Sequence, residues 1–419
     1  MLNHHGLGRR HCFPADANDT VASCLSSAGK RIHASFHLAA PPGNSALFLD
    51  WPDVRDADQL QRTEVSAAHG DSVLVQSRDC TDLGSSAPFE YFVYRAGGGP
   101  PSMSPLPPCY LPMPWEGGDS RRRSREPRLM GSTDTGLLRR GEDELVVAQL
   151  IVMSVSAELC VLRSDSLPFV WESKRPSVAY AEGARGDELN QWWETDAVVP
   201  IGDQFLCWVD YFRGLLLCDM FDLDDEPVLQ YVPLPLNPKQ GRARRDLQQP
   251  FKNARNIGTT ASGDVRFVSI DRRCCCGGLL ESSCPRSRFS FTLTTWTLGM
   301  DSMTWSTDGM LHSDELWALP GYEGLPRVTP EFPILSMDDD ATVCLMVRHY
   351  DVDAEDIRIW MIKVDVRSKT LLSIVPYNCA RYKPMDDDED GSQDHFDGIG
   401  FVPSQVSKYL NYNTRMHTN

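Results

Sequence analysis

The chain has 419 residues, 41% of them hydrophobic and 24% charged, the proportions of a globular protein long enough to bury a sizeable core. Its net charge of −17 repels phosphate backbones and anionic lipid, so nucleic acid and membrane surfaces are poor partners. No run approaches the roughly 20 apolar residues of a membrane span. The 13 cysteines are odd in number and scattered through apolar runs, which suits free thiols in a reducing compartment, cytoplasm or nucleus, without a disulfide framework.

In chain order, residues 1–44 carry no pattern and no signal-peptide-like apolar run, and are expected to be unstructured. A single all-β domain is expected over 45–410, with a tail at 411–419. It opens on ALFLDWP (46–52). HGDSVLVQS from His69 and YFVYRA follow as two strands. A proline-rich loop near 100–127 carries RRRSR (121–125), more simply a solvated charge run than a nuclear-localisation patch. Next come GEDELVVAQL from Gly141 and ELCVLRS, then DELNQWW (187–193), which suits a turn or two of helix. IGDQFLCWVD from Ile201, LLLCDM and VLQYVPLP read as three strands, followed by a polar loop near 238–250. SGDVRFVSID from Ser262 leads through CCCGGLLESSC (274–284) to FTLTTWTL. MDDDATVCLMV from Met337, IRIWMIKVD and TLLSIVP follow, then an acidic loop near 384–396, GIGFVPS (398–404) and a short helical PSQVSKYL.

Five of these segments begin with an acidic turn that runs into an apolar strand. Their aspartates are Asp71, Asp143, Asp203, Asp264 and Asp339, spaced 72, 60, 61 and 75 residues apart. A unit of a few antiparallel strands recurring at such spacing predicts a β-propeller-like fold of about six blades. Strands apolar on both faces fit sheets packed face to face. The two orphan runs, 46–52 and 398–404, are expected to share one sheet and close the ring, because an open propeller would leave two free edges.

A narrower pattern places an aspartate where a strand meets a turn. It comprises Trp208, Asp210, Gly214 and Asp219 in CWVDYFRGLLLCD, Trp296 and Asp301 in WTLGMD, and Trp360 and Asp365 in WMIKVD. A carboxylate at a strand end accepts backbone N–H bonds from the turn, and Gly214 would supply a positive φ to the hairpin. The motif is therefore read as structural. The alternative is a propeller-type hydrolase with carboxylates converging on a central channel, since paired carboxylates about 5–10 Å apart can perform glycoside hydrolysis.

Other chemistry is weakly signalled. Three adjacent cysteines, Cys274–Cys276, cannot easily all face one ion, and Cys284 does not complete a paired zinc spacing. The run DDDED lacks the alternation and glycine of a calcium loop. No HExxH, GxSxG, P-loop or GxGxxG pattern occurs, so no catalytic, metal-binding or cofactor-binding residue is expected and no cofactor is implied.

The ordered motifs WVDYFRGLLLCDMFDLDDEPVLQYVPLPLNP, GEDELVVAQL, RCCCGG, FTLTTWTLGMDSMTW and DELWALPGYEGLPRV resemble a plant, mostly grass, family known as the domain-of-unknown-function 1618 family. The resemblance spans roughly residues 45–410 and implies no activity. More distantly, the tryptophan-to-aspartate repeat resembles F-box-associated and kelch-type propellers, which implies a scaffold for protein partners. The leucine-rich helical F-box of such proteins is not among these motifs.

Overall fold

The computed structural model describes residues 2–3, 7–8, 18–39, 42, 45–52, 62–78, 88–97, 99–114, 126–153, 156–166, 169–180, 193–223, 226–236, 253–260, 262–273, 289–351, 356–377, 401–402 and 404–410. The expected loops at 238–250 and 384–396, residues 115–125 of the proline-rich stretch including RRRSR, the 274–284 cysteine cluster, DDDED and the 411–419 tail lie outside them.

The fold is all-β, built from successive small sheets. The N-terminal residues give β1 (Leu2–Asn3), β2 (Leu7–Gly8), β3 (Ala22–Leu25), β4 (Arg31–His37) and β5 (Ala46–Asp50). The first sheet has the order β2-β5-β4-β3. The second runs β6 (Arg62–His69), β7 (Ser72–Arg78), β8 (Glu90–Arg95), β9 (Ser102–Pro105), each strand beside the next. The third repeats that order with β10 (Thr135–Arg140), β11 (Glu144–Val152), β12 (Ala157–Arg163) and β13 (Glu172–Lys174). The fourth is five-stranded. β14 (Ser177–Tyr180) joins its outer edge beside β18 (Val228–Pro233), and β15 (Ala197–Ile201), β16 (Phe205–Asp210) and β17 (Gly214–Asp219) complete it. The fifth holds β19 (Arg255–Thr259), β20 (Val265–Arg272), β21 (Phe291–Gly299) and β22 (Thr304–His312), followed by the short helix α1 (Ser313–Trp317). The sixth holds β23 (Glu331–Leu335), β24 (Thr342–Asp351), β25 (Asp356–Asp365) and β26 (Thr370–Tyr377). Finally β27 (Phe401–Val402) pairs with β1 in a two-stranded sheet.

The five acidic turns fall in five different sheets, joining β6 to β7, β10 to β11, β15 to β16, β19 to β20 and β23 to β24. Pairing within sheets is antiparallel except for β14 with β18 and β2 with β5, which are parallel. Gly70, Gly141, Gly202 and Gly263 occupy these turns with φ between 56° and 90°, the left-handed region that an L side chain rarely enters.

Strand alternation explains why the apolar runs are continuous. In β16, Leu206 and Trp208 pack with Leu138 and Val146 of the third sheet. Their neighbours Cys207 and Val209 point the other way, to Ile257 and Phe267 of the fifth. The same two-sided burial joins first to second sheet through Phe36 and Phe92, second to third through Leu74 and Val147, and fifth to sixth through Ile270 and Leu345. The far side of the sixth sheet packs Met346 and Ile359 against Phe401 of β27. Each fully buried leucine or phenylalanine contributes about 1.5–3 kcal/mol relative to exposure.

Two expectations are corrected. Residues 1–44 are not featureless: they supply β1–β4, and Leu2, Ile32 and Phe36 are buried in the core. RIHASFH in β4 alternates apolar and polar residues, but Arg31, His33 and the small Ala34 and Ser35 dilute the signal. The orphan runs do not share a sheet either. β5 lies in the first sheet and β27 pairs with β1, while Leu2, Leu47 and Leu49 share one core cluster against which Val402 packs. Within the proline-rich stretch, Ser102–Pro105 forms β9. DELNQWW lies outside the described residues except for Trp193, while residues 406–410 are helical as expected.

Candidate functional site

The two aspartates of CWVDYFRGLLLCD stand at opposite ends of one hairpin. Asp210 pairs with Gly214 and Asp219 with Phe205, five rungs away, which is roughly 17 Å at the strand rise. Asp210 is fully buried and already engaged. It accepts the backbone N–H of Glu194 (3.1 Å), Phe212 (2.9 Å) and Arg213 (3.2 Å), and the Arg213 guanidinium at 3.0 Å. Asp219 accepts Phe221 N–H (2.9 Å), Asp222 N–H (3.2 Å) and the Gln204 amide. Both carboxylates organise turns.

Gly214 departs from the expectation. It has no positive φ; a Cβ there would lie 2.5 Å from the Val232 carbonyl oxygen and 2.8 Å from the Tyr231 ring, so the position needs a bare backbone for close approach. Trp208 is buried and its indole N–H donates to the Asp134 carbonyl (2.8 Å), tying the fourth sheet to the third. Trp296 stacks on Phe267 with ring centroids 5.2 Å apart. Trp360 packs against the fifth–sixth sheet cluster. Asp365 accepts Ser368 N–H (2.7 Å), and Asp301 is exposed at its own turn. Asp210, Asp219, Asp301 and Asp365 thus sit at separate turns and do not converge.

Of the acidic-turn aspartates, Asp71 clamps the next sheet through Arg139 (3.1 Å) and Asp339 caps Ala341 N–H (3.1 Å). Asp264 accepts the Ser262 hydroxyl (2.7 Å), and Asp143 is exposed. Asp203 differs, because it opens onto a cleft.

That cleft has a volume of about 210 Å³ and lies where the acidic turns of the second, fourth and fifth sheets meet Met337, Val402, Ser404 and Gln405. Its polar lining is His69, Asp203, Thr259, Thr260, Ser404 and Gln405. Sequence reasoning found Asp203 only as a turn residue and missed the others, which are up to 336 positions apart; the single legible signal was the recurrent Gly-Asp turn.

His69 sets the electrostatics. Its Nδ1 accepts the Arg139 backbone N–H at 2.9 Å, which requires a lone pair there and hence a neutral ring protonated on Nε2. Burial pushes its pKa below the ordinary histidine value, outweighing the Asp203 carboxylate and the Gly202 backbone, which favour the charged form. Asp203 is the one acidic side chain among the described lining residues.

A pH dependence follows. A histidine with a folded pKa below its unfolded value binds more protons unfolded than folded between the two values, so its stabilisation is present above about pH 6.5 and is lost as pH falls. Melting temperature measured from pH 7.5 to 5.5 should therefore fall in the native protein and fall less in His69→Gln, which can still accept the Arg139 N–H. Equal slopes would show that His69 does not carry the effect.

Residues 208–344 match the family described as Protein of unknown function (DUF1618). Over that third of its length the chain is similar to DUF1618 proteins, consistent with the motifs quoted above. No curated protein matches the chain. Among solved structures, an endo-arabinase from Bacteroides thetaiotaomicron is similar at 11% identity and a TM-score of 0.27, over 58% of this chain and 79% of that one. An α-L-arabinofuranosidase from Fusarium graminearum is similar at 11% identity and 0.31, over 85% and 96%. A sialidase from Streptococcus pneumoniae is similar at 9% identity and 0.31, over 83% of this chain and 55% of its own length. Likeness at this level carries no argument about what the chain does.

Proposed function

We propose that this protein is a non-catalytic binding scaffold: a propeller-like ring of six sheets, closed through β1 and β27, whose cleft takes a cationic side chain of a partner protein. The observation that carries the reading is the cleft's charge. Asp203 faces it with His69 held neutral, and the volume of about 210 Å³ suits one long side chain rather than an extended ligand. The overall charge of −17 would steer a basic partner toward it. Its setting would be the cytoplasm or nucleus, where the described cysteines stay as free thiols. Propeller-type hydrolysis is less well supported, since the described lining holds one carboxylate where glycoside hydrolysis takes two.

The test is titration of short peptides that differ only in a central Lys, Arg, norleucine or Glu. The Lys or Arg peptide should bind best, more weakly as salt rises. Asp203→Asn should weaken it about tenfold, the equivalent of about 1.4 kcal/mol. Preference for the Glu peptide, or indifference to Asp203→Asn, would overturn the reading. Turnover of a glycoside that vanishes in Asp203→Asn would replace it with the hydrolase.

A further inference from the structure

Far from the cleft in sequence and in role, two thiols meet inside the crossover from the second to the third sheet. After β9 the chain runs through 106–114 without strand structure and passes beneath Trp171. It is fixed by Leu106 N–H to the Tyr91 carbonyl (2.8 Å), the Trp171 indole N–H to the Pro107 carbonyl (2.7 Å) and Arg128 N–H to the Cys109 carbonyl (2.6 Å). These bonds hold Cys109 over the middle of β12, where Cys160 points up. The two sulfurs are 3.6 Å apart, and both residues are buried together with Met130. Nothing in the folding of the strap demands this: one sulfur against an apolar methyl would pack as well.

We propose that Cys109 and Cys160 form a peroxide-sensitive dithiol that closes to a disulfide and staples the 106–114 crossover to the third sheet. The sulfurs need to approach by about 1.5 Å to reach a bond length near 2.05 Å. A strap outside any strand ladder can supply that movement, whereas β12 is paired on both sides.

The surroundings divide the labour between the two thiols. The contact between the two thiols lowers the Cys109 pKa, with the Arg128 charge acting in the same direction, and raises the Cys160 pKa against the pull of Arg128. The Arg128 guanidinium is buried between Gln149 (2.8 Å) and Glu158 (2.5 Å), and its Nη2 finds no partner among the described residues. Cys109, carried on the strap outside any strand ladder, is assigned as the nucleophile, and Cys160, fixed in β12, as the resolving thiol.

The chemistry balances with hydrogen peroxide as the oxidant. The Cys109 thiolate attacks one peroxide oxygen; an S–O bond forms, the O–O bond breaks and hydroxide leaves, giving the sulfenic acid. The Cys160 sulfur then attacks the Cys109 sulfur; the S–S bond forms, the S–O bond breaks and the departing hydroxide takes the Cys160 proton as water. Two thiols and one peroxide give one disulfide and two waters. Because Cys109 is only 3% exposed, the peroxide enters when the strap opens locally, so closure is slower than oxidation of an open thiol and speeds up in mild denaturant.

The experiment uses the full chain, reduced, desalted, exposed to hydrogen peroxide, then alkylated under denaturing conditions and mapped by mass spectrometry with and without reductant. A Cys109–Cys160 linked peptide pair is expected, removed by dithiothreitol, with the oxidised protein melting higher than the reduced one. In Cys160→Ser, a sulfenic acid at Cys109 should be trapped by dimedone; in Cys109→Ser, Cys160 should stay reduced. Mapping of the native chain decides the matter even if a variant folds poorly. Alkylation of both cysteines after peroxide, or over-oxidation of Cys109 with no linked pair, overturns the proposal.

Discussion

Replacing Asp210 with alanine should cost about 3–5 kcal/mol, the range for stranding one partner of a buried ion pair. The side chain is fully buried, accepts three backbone N–H groups and pairs with Arg213 at 3.0 Å. Removing it takes one acceptor from each of these donors and the carboxylate from the Arg213 guanidinium, while the Arg213 N–H keeps the Asp210 backbone carbonyl at 3.0 Å. Asp210→Asn keeps one acceptor oxygen but aims an NH₂ at N–H donors, so it should recover part of the loss. Chemical denaturation of the two variants tests the ordering native, Asn, Ala. A loss below about 1 kcal/mol in the alanine variant would be too small for a group with those partners. Peptide binding that fails at unchanged stability would move Asp210 from architecture into function.

The second large effect is expected at the other end of the molecule. Leu2 is 1% exposed, pairs with Val402 and bridges Ser45. Leu2→Ala should cost about 2–5 kcal/mol by the lost burial and the cavity left behind. Removing residues 1–3 and removing everything from Phe401 onward each destroy the same two-stranded sheet. The second truncation also loses Phe401 against Phe332 (6.4 Å) and the buried Val406 and Leu410. The two costs should therefore be partly non-additive, because the β1–β27 pairing is lost in either truncation, while the packing of Leu2 on the first sheet is lost only in the N-terminal one. Additive losses in melting temperature would mean that the termini stabilise the fold separately and that β1 and β27 do not join it.

What could be read from the sequence was whatever repeats locally. The acidic turns announce themselves because a capping position favours aspartate and, in four of the five, a left-handed turn needs glycine, and the five turns mark five sheets. Apolar runs such as FLCWVD betray burial on both faces. Pairings between distant segments leave no such mark. Leu2 with Val402 is written in two short apolar pieces that could pair with anything. SVAY joins the fourth sheet in parallel beside β18 rather than the third sheet that precedes it, and nothing in four residues specifies that choice. Gly214 was identified as indispensable for the wrong reason, because sequence does not distinguish a glycine that turns from one that makes room. The cleft was illegible as a unit: His69, Asp203, Thr260 and Gln405 become neighbours only through the stacking of the sheets. The Cys109–Cys160 contact likewise joins a proline-rich stretch to a core strand.

The pairing of Leu2 with Val402 spans 400 positions of chain. A ribosome adding about 5–20 residues per second takes roughly 20–80 s to make the second partner after the first. Throughout that time β1 lacks its strand partner and has only the Leu2–Ser45 bridge, and the inner side of the first sheet and the outer side of each newest sheet are open to other nascent chains. Sheets two to five can form from local hairpins as they emerge, so the delay falls on one step. A cell that makes this protein must keep the first fifty residues out of trouble for about a minute, and misassembly should begin there.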